Sequence, residues 1–166
     1  MKKIMMKILT IITLAVVMSG CGKTEEVCVL EMGHFEIALP KENGLWEGPL
    51  ETENGRIRYI QGNAILEAAY YAVGTFQNPE VFVDVLYNTL EDHGFEDLKK
   101  QKVTIGKYEG TRVDATLVKE DGSRGPISCW VVLDEDNGVH YLIAGGQDKK
   151  PEIIRKAVEK TFRVVH

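Results

Sequence analysis

QKVTIGKYEGTRVDATLVKEDGSRGPISCWVVLDEDNGVHYLIA, residues Gln101 to Ala144, is the stretch whose reading decides the fold. Four runs within it alternate between apolar and polar side chains: Gln101 to Ile105, Thr111 to Val118, Ile127 to Leu133 and Val139 to Ala144. Alternation with a period of two marks a strand whose two faces meet different surroundings. The runs are separated by Gly106-Lys107, Asp121-Gly122 and Asn137-Gly138. Asp-Gly and Asn-Gly between alternating runs favour tight hairpin turns, because the turn needs positive φ. The stretch therefore reads as an antiparallel meander. Ile127, Cys129, Val131 and Leu133 share one face of its third strand and Trp130 and Val132 the other, so that strand requires cover on both sides.

Helical patterns flank the meander. Asn78-Pro79-Glu80 offers a cap, a proline tolerated at the first helical position and an acid at the positive end of the dipole. Phe82, Val83, Leu86 and Leu90 follow at helical spacing and Gly94 stops them, which predicts a helix over Asn78 to Asp92. A second helix is predicted over Pro151 to Lys160, with Ile153, Ile154, Ala157 and Val158 on one face, followed by a short extended end, Phe162 to Val165. Further upstream, Phe35, Ile37 and Leu39 alternate up to Pro40, a strand signal. Lys41 to Gly55, rich in Gly, Asn, Pro and Glu, reads as a loop around Trp46, with room for a short extended piece. Arg56 to Ile60 and Ala64 to Val73 read as a hairpin turned at Gln61-Gly62-Asn63, with a helix as the alternative for the apolar second run. Together these patterns predict an α+β fold, an antiparallel meander packed against helices as a sandwich.

The amino terminus has a different character. Lys2, Lys3 and Lys7 precede an apolar run from Ile8 to Val17, and Met18-Ser19-Gly20-Cys21 closes it. Positive residues, a short apolar run and small residues before a cut are the anatomy of a secretory signal. A transmembrane helix needs about 20 apolar residues, and this run is shorter. Met18, Ser19, Gly20 and Cys21 resemble a lipobox, which implies cleavage before Cys21 and a diacylglycerol on its thiol. The predicted organisation is a signal over 1–20, a lipidated cysteine, tether and first short extended segment over 21–33, and a single domain over 34–166. Cleavage removes three of 20 basic side chains and none of the 25 acidic ones, leaving a formal charge of −8. That sign disfavours nucleic acid as a partner. The predicted location is the extracytoplasmic face of a bacterial cell membrane, held to the bilayer through Cys21.

The export signal, the early Phe35-Glu36-Ile37-Ala38-Leu39-Pro40 strand, the middle helix, the meander and the last helix running into Thr161-Phe162-Arg163-Val164 together resemble the PsbP-like family of small bacterial lipoproteins. The resemblance implies that family's α/β sandwich and an accessory character, and it transfers no functional residue.

The chemistry of the chain is sparse. His34, His93, His140 and His166 form no close pair, so spacing suggests no metal site. Asp134-Glu135-Asp136-Asn137-Gly138 places its glycine one position early for a calcium loop and reads as a charged turn. Gly122-Ser123-Arg124-Gly125 is no nucleophile elbow, and no P-loop or dinucleotide fingerprint is present. No cofactor is predicted. Tyr70, Tyr71 and Trp130 read as core aromatics, whereas Trp46 is either an exposed anchor for an envelope protein partner or a plug folded back on the core. Cys28 and Cys129 are either bridged, as an exported pair can be, or small core hydrophobes. Two functions follow: a non-catalytic accessory or binding module, or a small-ligand-binding or hydrolytic surface protein with a pocket built on His140, Glu67 and Arg112.

Overall fold

The computed structural model describes residues 27–41, 46–52, 55–76, 78, 80–134, 138–146 and 151–165. Met18, Ser19, Gly20 and Cys21 lie outside them. Twelve elements follow in chain order: β1 (Val27–Glu31), β2 (Phe35–Pro40), β3 (Glu47–Glu51), β4 (Ile57–Gln61), β5 (Ala64–Tyr71), α1 (Val81–Asp92), β6 (Glu96–Ile105), β7 (Tyr108–Val118), β8 (Arg124–Asp134), β9 (Gly138–Gly146), α2 (Pro151–Thr161) and β10 (Arg163–Val164).

These elements overturn the expected α+β sandwich. Among the described residues the fold is mainly β, with two antiparallel sheets and two helices. A three-stranded sheet runs β1-β2-β10 and a seven-stranded sheet runs β3-β4-β5-β9-β8-β7-β6. Width explains the difference. Seven strands spaced about 4.8 Å apart make a surface of about 29 Å, and a helix covers about 10 Å of it. With one helix on each face, about two-thirds of each face is left bare.

The small sheet supplies the missing cover. Leu30, Phe35, Ile37 and Leu39 pack against Leu66, Ala68, Trp130, Val132 and Leu142 of the large sheet, with Val158 and Phe162 completing the layer from α2 and its end. On the opposite face Val83 and Leu90 of α1 meet Val113, Ala115, Ile127, Cys129, Val131, Val139 and Tyr141. The two-sided strand β8 is thus covered on both sides, by a sheet on one and a helix on the other. Toward β3 the helix face is open, and Leu50 and Ile65 are exposed there.

Local chemistry sets the boundaries. Helix α1 starts at Val81 and not at Asn78, because the Asn78 side-chain oxygen accepts the Glu80 N–H at 3.0 Å and holds a turn ahead of the helix. It ends as Gly94 takes φ 76°, with Gly94 N–H donating to Glu91 and Phe95 N–H to Leu90, the paired closure that a left-handed residue permits. The region expected to be loop before Gly55 contains β3, an exposed edge strand. Ala64 to Tyr71 is a strand, paired on one side with β4 and on the other with β9.

Candidate functional site

A groove of about 890 Å³ opens at one end of the large sheet, on the face that carries α1. Strand register places its walls. Lys102 pairs with Thr111, Thr104 with Glu109, Thr111 with Val131, and Leu133 with Val139. Directly paired residues point to the same face, so these side chains share one surface. Val131 and Val139 form a buried apolar floor, and Glu80, Lys102 and Glu109 stand exposed around it. Phe76, on the connection from β5 to α1, closes one wall. It lies 5.2 Å from both Tyr71 and Phe82, and Phe82 lies 5.8 Å from Tyr141, each measured between ring centroids. The volume falls within the range of about 300–1,000 Å³ common for ligand sites, and an apolar floor with a few polar groups is their usual chemistry.

Glu67, Arg112 and His140 do not converge. Glu67 stands on the helix-bearing face, in a row with Arg58 and Ile143. Arg112 and His140 stand on the opposite face, paired with Trp130 and Val132. Each is used in packing. Burial pushes the Glu67 carboxyl up, but hydrogen bonds from Arg56 at 2.8 Å and Arg58 at 2.9 Å outweigh it and hold the group below the ordinary carboxylate value. Burial lowers the Arg112 guanidinium, and its bonds to Glu159 and Asp114 more than restore it.

Arg112 belongs to a charged cluster beneath α2 that the sequence did not single out. Its Nε donates to Asp114 at 2.9 Å and its Nη1 to Glu159. Glu159 also accepts the indole N–H of Trp130 at 3.2 Å, and Asp114 accepts the Ser128 hydroxyl at 2.6 Å. The cluster joins α2 to β7 and β8, which makes it a structural tie. Its only signal in the sequence is the pair Arg112 and Asp114, two positions apart in a strand.

Trp46 is half-buried and packs against the core beneath the small sheet. Cys28 and Cys129 are free thiols, the first packed against that same core and the second buried in the core under α1. Burial pushes the Cys129 thiol up to about 12, while the Tyr141 hydroxyl donates to its sulfur at 3.7 Å. Among the described residues, no three His, Cys, Asp or Glu side chains are grouped to hold a metal ion. No described helix is long and apolar enough to cross a membrane.

No family model matches the chain and no curated protein matches it, so the PsbP-like resemblance gains no support from either. Solved structures do match. A protein of unknown function from Pseudomonas aeruginosa aligns over 80% of this chain and 94% of its own, at 11% identity and a TM-score of 0.48. LpqN, involved in cell envelope biogenesis of Mycobacterium tuberculosis, aligns over 85% of this chain and 91% of its own, at 14% identity and a TM-score of 0.53. At that level of identity the chain shares a fold with LpqN, and the likeness is one of fold alone.

Proposed function

We propose that this chain is a lipid-anchored, extracytoplasmic accessory protein of the bacterial cell envelope that binds a partner and catalyses nothing. The observation that carries the binding role is the groove: an apolar floor of Val131 and Val139 rimmed by Glu80, Lys102 and Glu109. Apolar burial supplies affinity and a few charged groups fix orientation. Elsewhere the buried Glu67 and the half-buried Arg112 are committed to ion pairs that tie strands and helix together. Anchoring is supported by Met18-Ser19-Gly20-Cys21 at the end of the export signal. Two acyl chains hold a protein stably where one does not, and a diacylglycerol provides two. The envelope role is consistent with the fold shared with LpqN.

Two measurements test this reading. Cells grown with a clickable fatty acid label the wild-type chain and leave Cys21→Ala unlabelled; an unlabelled wild type refutes the anchor. A photo-crosslinking residue at Thr104, facing the groove, captures a discrete adduct in those cells, and the same residue at Val85, exposed on α1, does not. Equal capture at the two positions refutes the groove as the binding site.

A further inference from the structure

One imidazole sits buried between the two sheets. His140 of β9 is 1% exposed, and among the described residues neither of its ring nitrogens has a hydrogen-bond partner. Its ring lies edge-on to Phe35 of β2 at 5.9 Å and to Phe162 beyond α2 at 6.1 Å, and is tilted against Tyr70 of β5 at 5.2 Å. His34 stacks on Tyr70 at 3.8 Å. A polar ring buried without partners costs stability that a phenyl ring there would not. What the imidazole adds over a phenyl is the capacity to take up a proton.

We propose that His140 is an acid-sensitive latch: a proton taken up there parts the three-stranded sheet from the seven-stranded one and uncovers the apolar face between them. Among the described residues no strand ladder joins the two sheets. They meet mainly through side chains, so parting them hydrates the charged ring and takes from the three-stranded sheet the apolar face that supports it, which lets its ladder open while the seven-stranded sheet holds.

The groups facing the ring set the direction. From β8, the Asp134 carboxylate lies 3.9 Å from Nε2 and favours the proton. From the turn between β1 and β2, His34 disfavours it. Tyr70 of β5 is a further titratable neighbour, and Phe35 of β2 and Phe162 at the end of α2 present uncharged rings. Burial outweighs Asp134 and pushes the imidazole down from 6.5 to about 4. The open form thus binds one more proton than the closed form between those values, and stability falls as pH falls. The opening constant approaches a tenfold rise per pH unit inside that window, hence about 30-fold between pH 7.5 and 5.

Hydrogen exchange on the full chain in detergent, corrected for intrinsic chemistry, tests this at pH 7.5 and 5.0. The expected result is an opening constant about 30-fold larger at pH 5.0 for the amides of Ile37 and Leu39 in β2, with those of Cys129 and Val131 in β8 little changed. No change in β2, or equal change in both, overturns the latch. His140→Phe should abolish the response, and a variant that keeps it also overturns the proposal. Should that variant not fold, nuclear magnetic resonance of the wild-type ring decides: a ring still neutral at pH 5 supports the latch, and one that titrates near 6.5 overturns it.

Discussion

Glu159→Ala removes the acceptor that ties α2 to the large sheet, and its cost can be worked out from the contacts. The carboxylate accepts from Arg112 and from the indole of Trp130, whose residue is 1% exposed. Leaving a buried donor unsatisfied costs about 1–3 kcal/mol, and a hydrogen bond to a charged group contributes about 1.5–3 kcal/mol. Arg112 keeps Asp114 at 2.9 Å, so its loss falls at the lower end. The two effects share one carboxylate and do not add fully, which gives about 3 kcal/mol. Urea unfolding followed by fluorescence measures it; with a slope of about 2 kcal/mol per molar, the midpoint falls by about 1.5 M. Glu159→Gln retains an acceptor for the indole and should cost about half as much. In a Trp130→Phe background the cost of Glu159→Ala should shrink by about 1 kcal/mol, because the orphaned donor is already gone. A loss below about 1 kcal/mol for Glu159→Ala, or no difference between backgrounds, would show that the cluster is not a tie.

Gly138 adopts φ 99°, and a β-carbon there would stand 2.1 Å from the Tyr71 carbonyl oxygen, so Gly138→Ala should cost about 2 kcal/mol or more, read as a fall in Tm by calorimetry. Glu67 is held below its ordinary 4.5 despite burial, so its contribution is present above that value and lost as pH falls through the folded one. Stability curves of Glu67→Gln and wild type should therefore converge in acid, and parallel curves would contradict the Arg56 and Arg58 pairing. Cys129, neutral up to about 12, should resist alkylation at pH 8 in the folded chain while half-buried Cys28 reacts, as mass measurement would show. Rapid labelling of both would place Cys129 outside the core.

Much of the large sheet was legible because its information is local. The alternation from Gln101 to Ala144 and its glycine turns fix strands and hairpins within a few residues of one another. The small sheet is not local. Its β10 is two residues long, too short for any periodicity, and it pairs with β2 from the other end of the chain. Arg112, read from the sequence as a possible pocket residue with His140 and Glu67, instead joins Asp114 in a partly buried ion cluster because α2 brings Glu159 onto that strand. The groove was illegible for the same reason. Its floor and walls come from β6, β7, β8, β9 and the connection from β5 to α1, brought together by pairing that no single segment encodes. His140 left the clearest trace, a lone histidine sharing its strand face with Leu142 and Ala144.

The pairing of β10 with β2 also dictates an order of assembly. Arg163 lies opposite Glu36 and Val164 opposite Phe35, and the Thr161 hydroxyl accepts the Ala38 N–H across 123 residues of sequence. Hairpins such as β6-β7 and β7-β8 close over short loops, whereas a contact this distant must wait for a far larger loss of chain entropy. During synthesis or export from the amino end, β2 emerges early and has only β1 beside it. Its other edge stays unsatisfied until the final residues arrive. The β10 segment therefore acts as a clasp, and a chain stopped before Arg163 would leave β2 unpaired at Phe35 and Glu36 along that edge.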